Sequence, residues 1–176
     1  MTAQIIDGKT ISRKIQAEIG DAASKFFDET GVKPKLAAVL VGEDPASQVY
    51  VRNKERACAR SSIDSELFRL PDSSTTKEVV DLVQKLNDDP AVHGILVQLP
   101  LPDQVDAIQV LDTVDPRKDV DAFHPENVDC CLRAVRGFCL ARRLGLCICW
   151  LSRKSKLPAR TCALSVAVIS SASRWR

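Results

Sequence analysis

The chain has 176 residues, with 25 Lys+Arg against 23 Asp+Glu, seven cysteines and 45% hydrophobic residues. That is one ordinary domain, or one domain plus an extension, and it can bury a real core; no apolar run approaches the length of a membrane span. The N-terminus has neither the basic-then-apolar pattern of a secretory signal nor the Arg-rich look of a transit peptide, so a cytoplasmic location and no membrane partner are expected.

The net charge of +2 hides a split. Residues 1–129 carry 15 Lys+Arg and all 23 Asp+Glu, a net of −8, whereas residues 130–176 carry ten Lys+Arg and no acid. Six of the seven cysteines and both tryptophans also lie in the second part. The chain is therefore divided into 1–128, a domain, and 129–176, a basic, cysteine-rich tail.

In chain order, Ile5 and Ile6 form a short apolar entry that ends at Asp7-Gly8. Apolar residues then recur at helical spacing at Ile11, Ile15, Ile19, Ala22, Ala23 and Phe26, and Gly31 ends the helix. Pro34 leads into Lys35–Val41, a nearly continuous apolar run that fits a buried parallel strand. Gly42 turns the chain. Asp44 caps a second helix with Pro45 at its first position, and that helix runs to about Ser61. Glu66 to Leu70 alternates and reads as a strand. Thr75-Thr76-Lys77-Glu78 is a capping box, followed by the helical face Val79, Val80, Leu82, Val83 and Leu86. Gly94 to Leu99 is a third strand, stopped by Pro100 and Pro102. Val105, Ile108 and Leu111 mark one more short helix. Strand–helix alternation at these spacings gives an α/β domain, three layers with a mostly parallel sheet flanked by helices, plus an irregular basic C-terminal tail.

In such sheets ligands bind beyond the carboxyl ends of the strands. Three segments leave strand ends there: Gly42 to Lys54, Gln98 to Pro102, and Lys118 to His124. In the first, Tyr50 and Lys54 are four residues apart and share a helical face. An aromatic platform beside an amine suits a flat ring substrate that needs a proton moved; taken locally, the pair also reads as a half-buried Tyr and a solvated Lys. Gln98 is polar in an otherwise apolar strand and needs a partner. Asp121 reads as a site carboxylate or as a turn cap, His93 as a surface residue, and His124 as a residue without an assigned role.

Three blocks now stand in order: Val41-Gly42-Glu43-Asp44-Pro45-Ala46-Ser47 with Tyr50-Val51-Arg52-Asn53-Lys54; Asn87-Asp88-Asp89-Pro90 before Ile95-Leu96-Val97-Gln98-Leu99-Pro100-Leu101-Pro102; and Lys118-Asp119-Val120-Asp121 with Phe123-His124-Pro125. Together, over residues 3 to about 128, they resemble the catalytic domain of the bacterial bifunctional methylenetetrahydrofolate dehydrogenase/methenyltetrahydrofolate cyclohydrolase family. The resemblance implies one-carbon folate metabolism feeding purine biosynthesis. The expected chemistry is oxidation of 5,10-methylenetetrahydrofolate by hydride transfer to NADP, then hydrolysis of the methenyl product to 10-formyltetrahydrofolate. It implies Lys54 as the catalytic amine and Gln98 as its hydrogen-bond partner. Tyr50 would stack on the folate ring, Asp121 would receive the pterin N–H donors, and Leu99 and Pro100 would line the substrate site. A general base works best near neutral pH, and desolvation or a nearby cation moves a lysine toward that range. Tetrahydrofolate derivatives are the expected partners, and no metal is expected.

The family's second half, a Rossmann-type NADP domain, has a Pro-Gly-Gly-Val-Gly-Pro loop and a Gly-Arg-Ser turn; neither string occurs here, so no cofactor-binding residue is assigned. The family homodimer forms largely through that half and is not expected. Ala122 stands where the family has glycine. The 129–176 tail has three readings: a basic module for nucleic acid, a metal site, or out-of-frame translation. Nucleic acid is not favoured, because no regular Lys/Arg face or aromatic interleaving is present. The metal site lacks C-x-x-C pairs and histidine. Loss of every acid at one point favours out-of-frame translation. The chain is therefore expected to be impaired in activity. The alternatives are an inactive folate-binding remnant and a nucleic-acid-binding protein acting through the tail.

Overall fold

The computed structural model describes residues 8–132. Their elements are α1 (Gly8–Thr30), β1 (Lys35–Val41), α2 (Pro45–Arg60), β2 (Asp64–Leu70), α3 (Thr76–Asp88), β3 (Gly94–Val97), α4 (Ala107–Thr113) and α5 (Pro125–Leu132). Beyond residue 132, the three readings of the tail fall outside the described residues. The boundary drawn after Val128 falls inside α5.

The sheet is three-stranded in the order β2-β1-β3, and both pairings are parallel. The chain goes from β1 through α2 to β2 on one side. It then returns through α3 to β3 on the other side. Right-handed crossovers in opposite directions place their helices on opposite faces of the sheet. The side chains agree, because successive strand residues point to opposite faces. Leu36, Ala38 and Leu96 pack with Ile19 and Ala23 of α1 and with Val51, Ala57 and Cys58 of α2. Ala37, Val39, Ile95 and Val97 pack with Val79, Val83 and Leu86 of α3 and with Val110 of α4. Two apolar layers thus sandwich β1, whose residues from Leu36 to Val41 are all buried.

Local signals set most boundaries. The capping box is formed in both directions: the Thr75 side chain accepts from Glu78 N, and the Glu78 carboxylate accepts from Thr75 N at 2.8 Å. These bonds hold the Glu78 carboxyl below its ordinary range. Two strand boundaries differ from expectation, and the first is that β2 begins at Asp64 rather than Glu66. β3 ends at Val97 rather than Leu99; Gln98 N still donates to Val39 O (2.9 Å), after which the Leu99-Pro100 peptide is cis and proline offers no donor. Ile108 is 74% exposed and Val110 is buried in its place. The reason is the phase set by the cap: Asp106 accepts from Ile108 N and Gln109 N, which turns Ile108 outward. α5 had no counterpart in the sequence reading.

Candidate active site

The site begins at the turn after β1. Gly42 has φ +80°, and a Cβ there would lie 2.7 Å from Asp72 Oδ1, so both backbone conformation and space call for glycine. Asp44 Oδ2 then accepts from Ser47 N at 2.7 Å. Hydrogen bonding by Ser47, its side chain first and then its N–H, holds the Asp44 carboxyl below its ordinary range. With Asp44 as cap and Pro45 in the first turn, the phase of α2 is fixed, and Ser47, Val51, Lys54, Ala57 and Cys58 all turn inward.

Lys54 is 1% exposed. Its Nζ lies 3.6 Å from Asp121 Oδ1 and 4.5 Å from the centre of the Tyr50 ring, and it makes no hydrogen bond. The solvated lysine that the local sequence allowed is not what forms. Burying an ammonium is costly unless it is paired, and here the pairing consists of one carboxylate and the face of one ring. One turn further on, burial pushes the Cys58 thiol up to about 11, while the positive charge of Lys54 acts the other way.

Asp121 is brought to Lys54 by the segment after α4. Lys118 donates to the carbonyls of Leu86 (3.1 Å), Asn87 (2.6 Å) and Asp89 (2.8 Å), closing the end of α3. The Asn87 amide donates to Thr113 O and accepts from Asp115 N, tying the same segment down from its other end. Ile95 N donates to Lys118 O at 2.7 Å, continuing the sheet past β3. Gly94 permits this approach: a Cβ there would meet Val120 Cγ1 at 2.6 Å. Asn87 and Lys118 were visible in the motifs, but their role as struts was not. Asp119 stood in the third block without a role and Asn127 was missed; both are buried.

Tyr50, Lys54 and Asp121 are therefore together. Gln98 is half-buried, and its Nε2 donates to Leu99 O at 2.6 Å. It is not hydrogen-bonded to Lys54, whose Nζ has no hydrogen-bond partner and lies beside Asp121. Leu99 is half-buried and Pro100 exposed, in the turn after β3. His93 is not a plain surface residue: Lys35 N donates to its Nδ1 at 3.2 Å, pinning the start of β1. His124 Nδ1 accepts from Glu126 N at 3.2 Å and so helps start α5. Ala122 is buried with φ +53°, the left-handed conformation that glycine adopts without strain. An open depression of about 750 Å³ lies beside the β1 and β2 ends, lined by Glu43, Asp44, Arg69 and Asp72 among others; Tyr50, Lys54 and Asp121 are not part of it. Among the described residues no group of three or more His, Cys, Asp or Glu is placed to hold a metal ion, and no helix is long and apolar enough to cross a membrane.

Comparison with known proteins gives a consistent result. Residues 6–121 match the family model for the tetrahydrofolate dehydrogenase/cyclohydrolase catalytic domain. The bifunctional protein FolD of Streptococcus pneumoniae is 52% identical over 125 residues, covering 71% of this chain and 44% of that protein. FolD of Moorella thermoacetica is 54% identical over 128 residues, covering 73% of this chain and 45% of that protein. The crystal structure of the bifunctional FolD methylenetetrahydrofolate dehydrogenase/cyclohydrolase from Campylobacter jejuni superposes with a TM-score of 0.77 at 41% identity, over 80% of this chain and 50% of that one. The Trypanosoma brucei enzyme, solved with NADP cofactor and inhibitor, gives 0.77 at 30% identity, over 85% of this chain and 53% of that one. The chain spans less than half the length of the two curated relatives. Over the half it does span, both the sequence blocks and the fold agree: the chain belongs to the tetrahydrofolate dehydrogenase/cyclohydrolase family through its catalytic domain.

Proposed function

We propose that this chain carries the folate-binding and proton-moving half of a methylenetetrahydrofolate dehydrogenase/methenyltetrahydrofolate cyclohydrolase, in one-carbon metabolism in the cytoplasm. The observation that supports this reading is the buried Lys54 amine, which has no hydrogen bond and lies between the Tyr50 ring and the Asp121 carboxylate. A buried amine whose N–H groups find no acceptor is expensive and rare unless chemistry uses it.

In this reading the pterin stacks on Tyr50, and Asp121 takes its N–H donors in a charge-assisted contact. In the hydrolysis, a water oxygen bonds to the methenyl bridge carbon, the bond from that carbon to N5 breaks, N5 takes one of the water's two protons and the other leaves. Lys54 Nζ moves that proton. Gln98 can turn its amide from Leu99 O toward the amine, since an amide both donates and accepts. Leu99 and Pro100 border the ring. The reading requires no dimer.

The described residues do not fit NADP. The dinucleotide folds seat the pyrophosphate at an open helix N-terminus. The N-terminus of α2 is already filled by the Asp44 carboxylate and has Glu43 and Asp72 beside it. No step is assigned to the cofactor here, and hydride transfer is not ascribed to this chain alone. A folate-binding remnant is the second reading; the observation in its favour is that Lys54 Nζ has no hydrogen bond to Gln98, the partner its proton transfer calls for.

The test is methenyltetrahydrofolate decay with the purified chain and with Lys54→Ala, alongside thermal stabilisation by tetrahydrofolate. The primary reading expects decay above buffer that is lost in Lys54→Ala. Stabilisation without decay supports the remnant. The absence of both effects overturns both readings.

A further inference from the structure

Asp119 and Asn127 are both buried at 5% exposure, and the proposed reaction uses neither. A buried charge needs partners, and these are specific ones. Asp119 Oδ2 accepts from Asn127 Nδ2 at 3.0 Å and from His124 N at 2.9 Å. Asn127 Nδ2 also donates to Pro116 O at 2.9 Å. The backbone of Asp119 is itself fixed by a parallel bridge to Ile95 at the side of β3. One carboxylate oxygen therefore joins the sheet to the first turn of α5. Between its two feet lie only Val120, Asp121, Ala122 and Phe123, an arch with Ala122 at φ +53° near its crown. Asp121, the carboxylate that faces Lys54, stands on that arch.

We propose that Asp119 and Asn127 form a clasp that sets the position of the Asp121 carboxylate, and through it the affinity of the site for the ring of a reduced folate. The inference rests on the folate reading for its ligand, but its geometry stands on the arch alone. Asp119 and Asn127 are positioning residues. The plainer account, that the pair only caps α5, makes a different prediction. A cap stabilises the helix and is indifferent to Asp121, whereas a clasp acts on folate only while Asp121 is present.

The experiment uses the full chain as wild type, Asn127→Ala, Asp119→Asn, Asp121→Ala and the double variants Asp121→Ala/Asn127→Ala and Asp121→Ala/Asp119→Asn. Hydrogen–deuterium exchange reads the amides of residues 119–124, and calorimetry reads tetrahydrofolate binding. Asn127→Ala is expected to speed exchange across 119–124 while β1 and α2 stay as protected as before. It is expected to weaken tetrahydrofolate binding about tenfold, as befits one hydrogen bond to a charged group. In the Asp121→Ala background the same change costs no further affinity. Asp119→Asn keeps an accepting oxygen and falls between wild type and Asn127→Ala. If Asn127→Ala does not fold, Asp119→Asn takes its place: a loss of tetrahydrofolate affinity that disappears in the Asp121→Ala background supports the clasp, and unchanged affinity or an equal loss in both backgrounds overturns it. Unchanged exchange in a folded Asn127→Ala, or an equal loss of affinity with and without Asp121, also overturns it. A wild-type chain that does not bind tetrahydrofolate overturns the folate reading, and exchange at 119–124 still decides the clasp.

Discussion

Lys118 Nζ lies 2.6 Å from the carbonyl oxygen of Asn87, and the side chain of the same Asn87 accepts from Asp115 N at 2.9 Å. Main chain and side chain of one residue thus hold both ends of a single turn. The ammonium has three N–H donors, and three carbonyls of the α3 end take them. Lys118→Met leaves those carbonyls without their cation. The expected loss is about 2 kcal/mol of folding stability, seen as a lower urea midpoint at unchanged slope. A midpoint equal to wild type would show that water replaces the strut without cost.

The same logic runs the other way at Lys54. Its ammonium is buried without a hydrogen bond, so the fold bears a cost for the site. Lys54→Met keeps the volume and removes the charge, and Asp121, at 20% side-chain exposure, can turn to water. The variant is expected to be about 1–2 kcal/mol more stable, with methenyltetrahydrofolate hydrolysis lost. A less stable Lys54→Met would mean that the contacts to Asp121 and Tyr50 outweigh the desolvation of the amine.

Ala122 supplies a third case. Its φ of +53° is disfavoured for a residue with a Cβ. Ala122→Gly is expected to raise the thermal midpoint by a few degrees, corresponding to about 0.5–1 kcal/mol, since the relief of strain exceeds the loss of one buried methyl and the added freedom of the unfolded chain. A lowered midpoint would show that the Ala122 methyl matters more for packing than for strain.

Cys58 predicts an alkaline limit. Burial raises its thiol to about 11 from an ordinary 9.0. The folded state therefore keeps a proton that the unfolded chain releases first. The contribution is fully present below pH 9 and is lost as pH rises from 9 toward 11, by up to about 2–3 kcal/mol. Cys58→Ala is expected to flatten stability over that window. Under native conditions at pH 8, iodoacetamide should leave the Cys58 peptide unmodified in mass spectra. Rapid labelling would contradict its burial.

Much of this was legible because the signals were local. The apolar run Lys35–Val41 matches β1 residue for residue, and Asp44-Pro45 and Thr75–Glu78 start their helices where the caps require. What could not be read depends on contacts distant in sequence. The burial of Lys54 needs Asp121, 67 positions away, to be folded against it. The strut at Lys118 needs the α3 end, about thirty residues earlier. α5 escaped notice because its entry is held by the Asp119 carboxylate, five residues before His124 N donates to it, so no ordinary cap precedes it. The outward turn of Ile108 could not be read from the three apolar residues that marked its helix, because the Asp106 cap sets the phase.

α5 runs from Pro125 to Leu132, and Asn127 sits in its first turn. The carbonyls of that turn are answered by backbone N–H groups of the turn that follows. What the arch asks of that second turn is its backbone N–H groups. The segment that carries Asp121 therefore leans, at its far foot, on the helical backbone of α5 as well as on the Asp119 carboxylate.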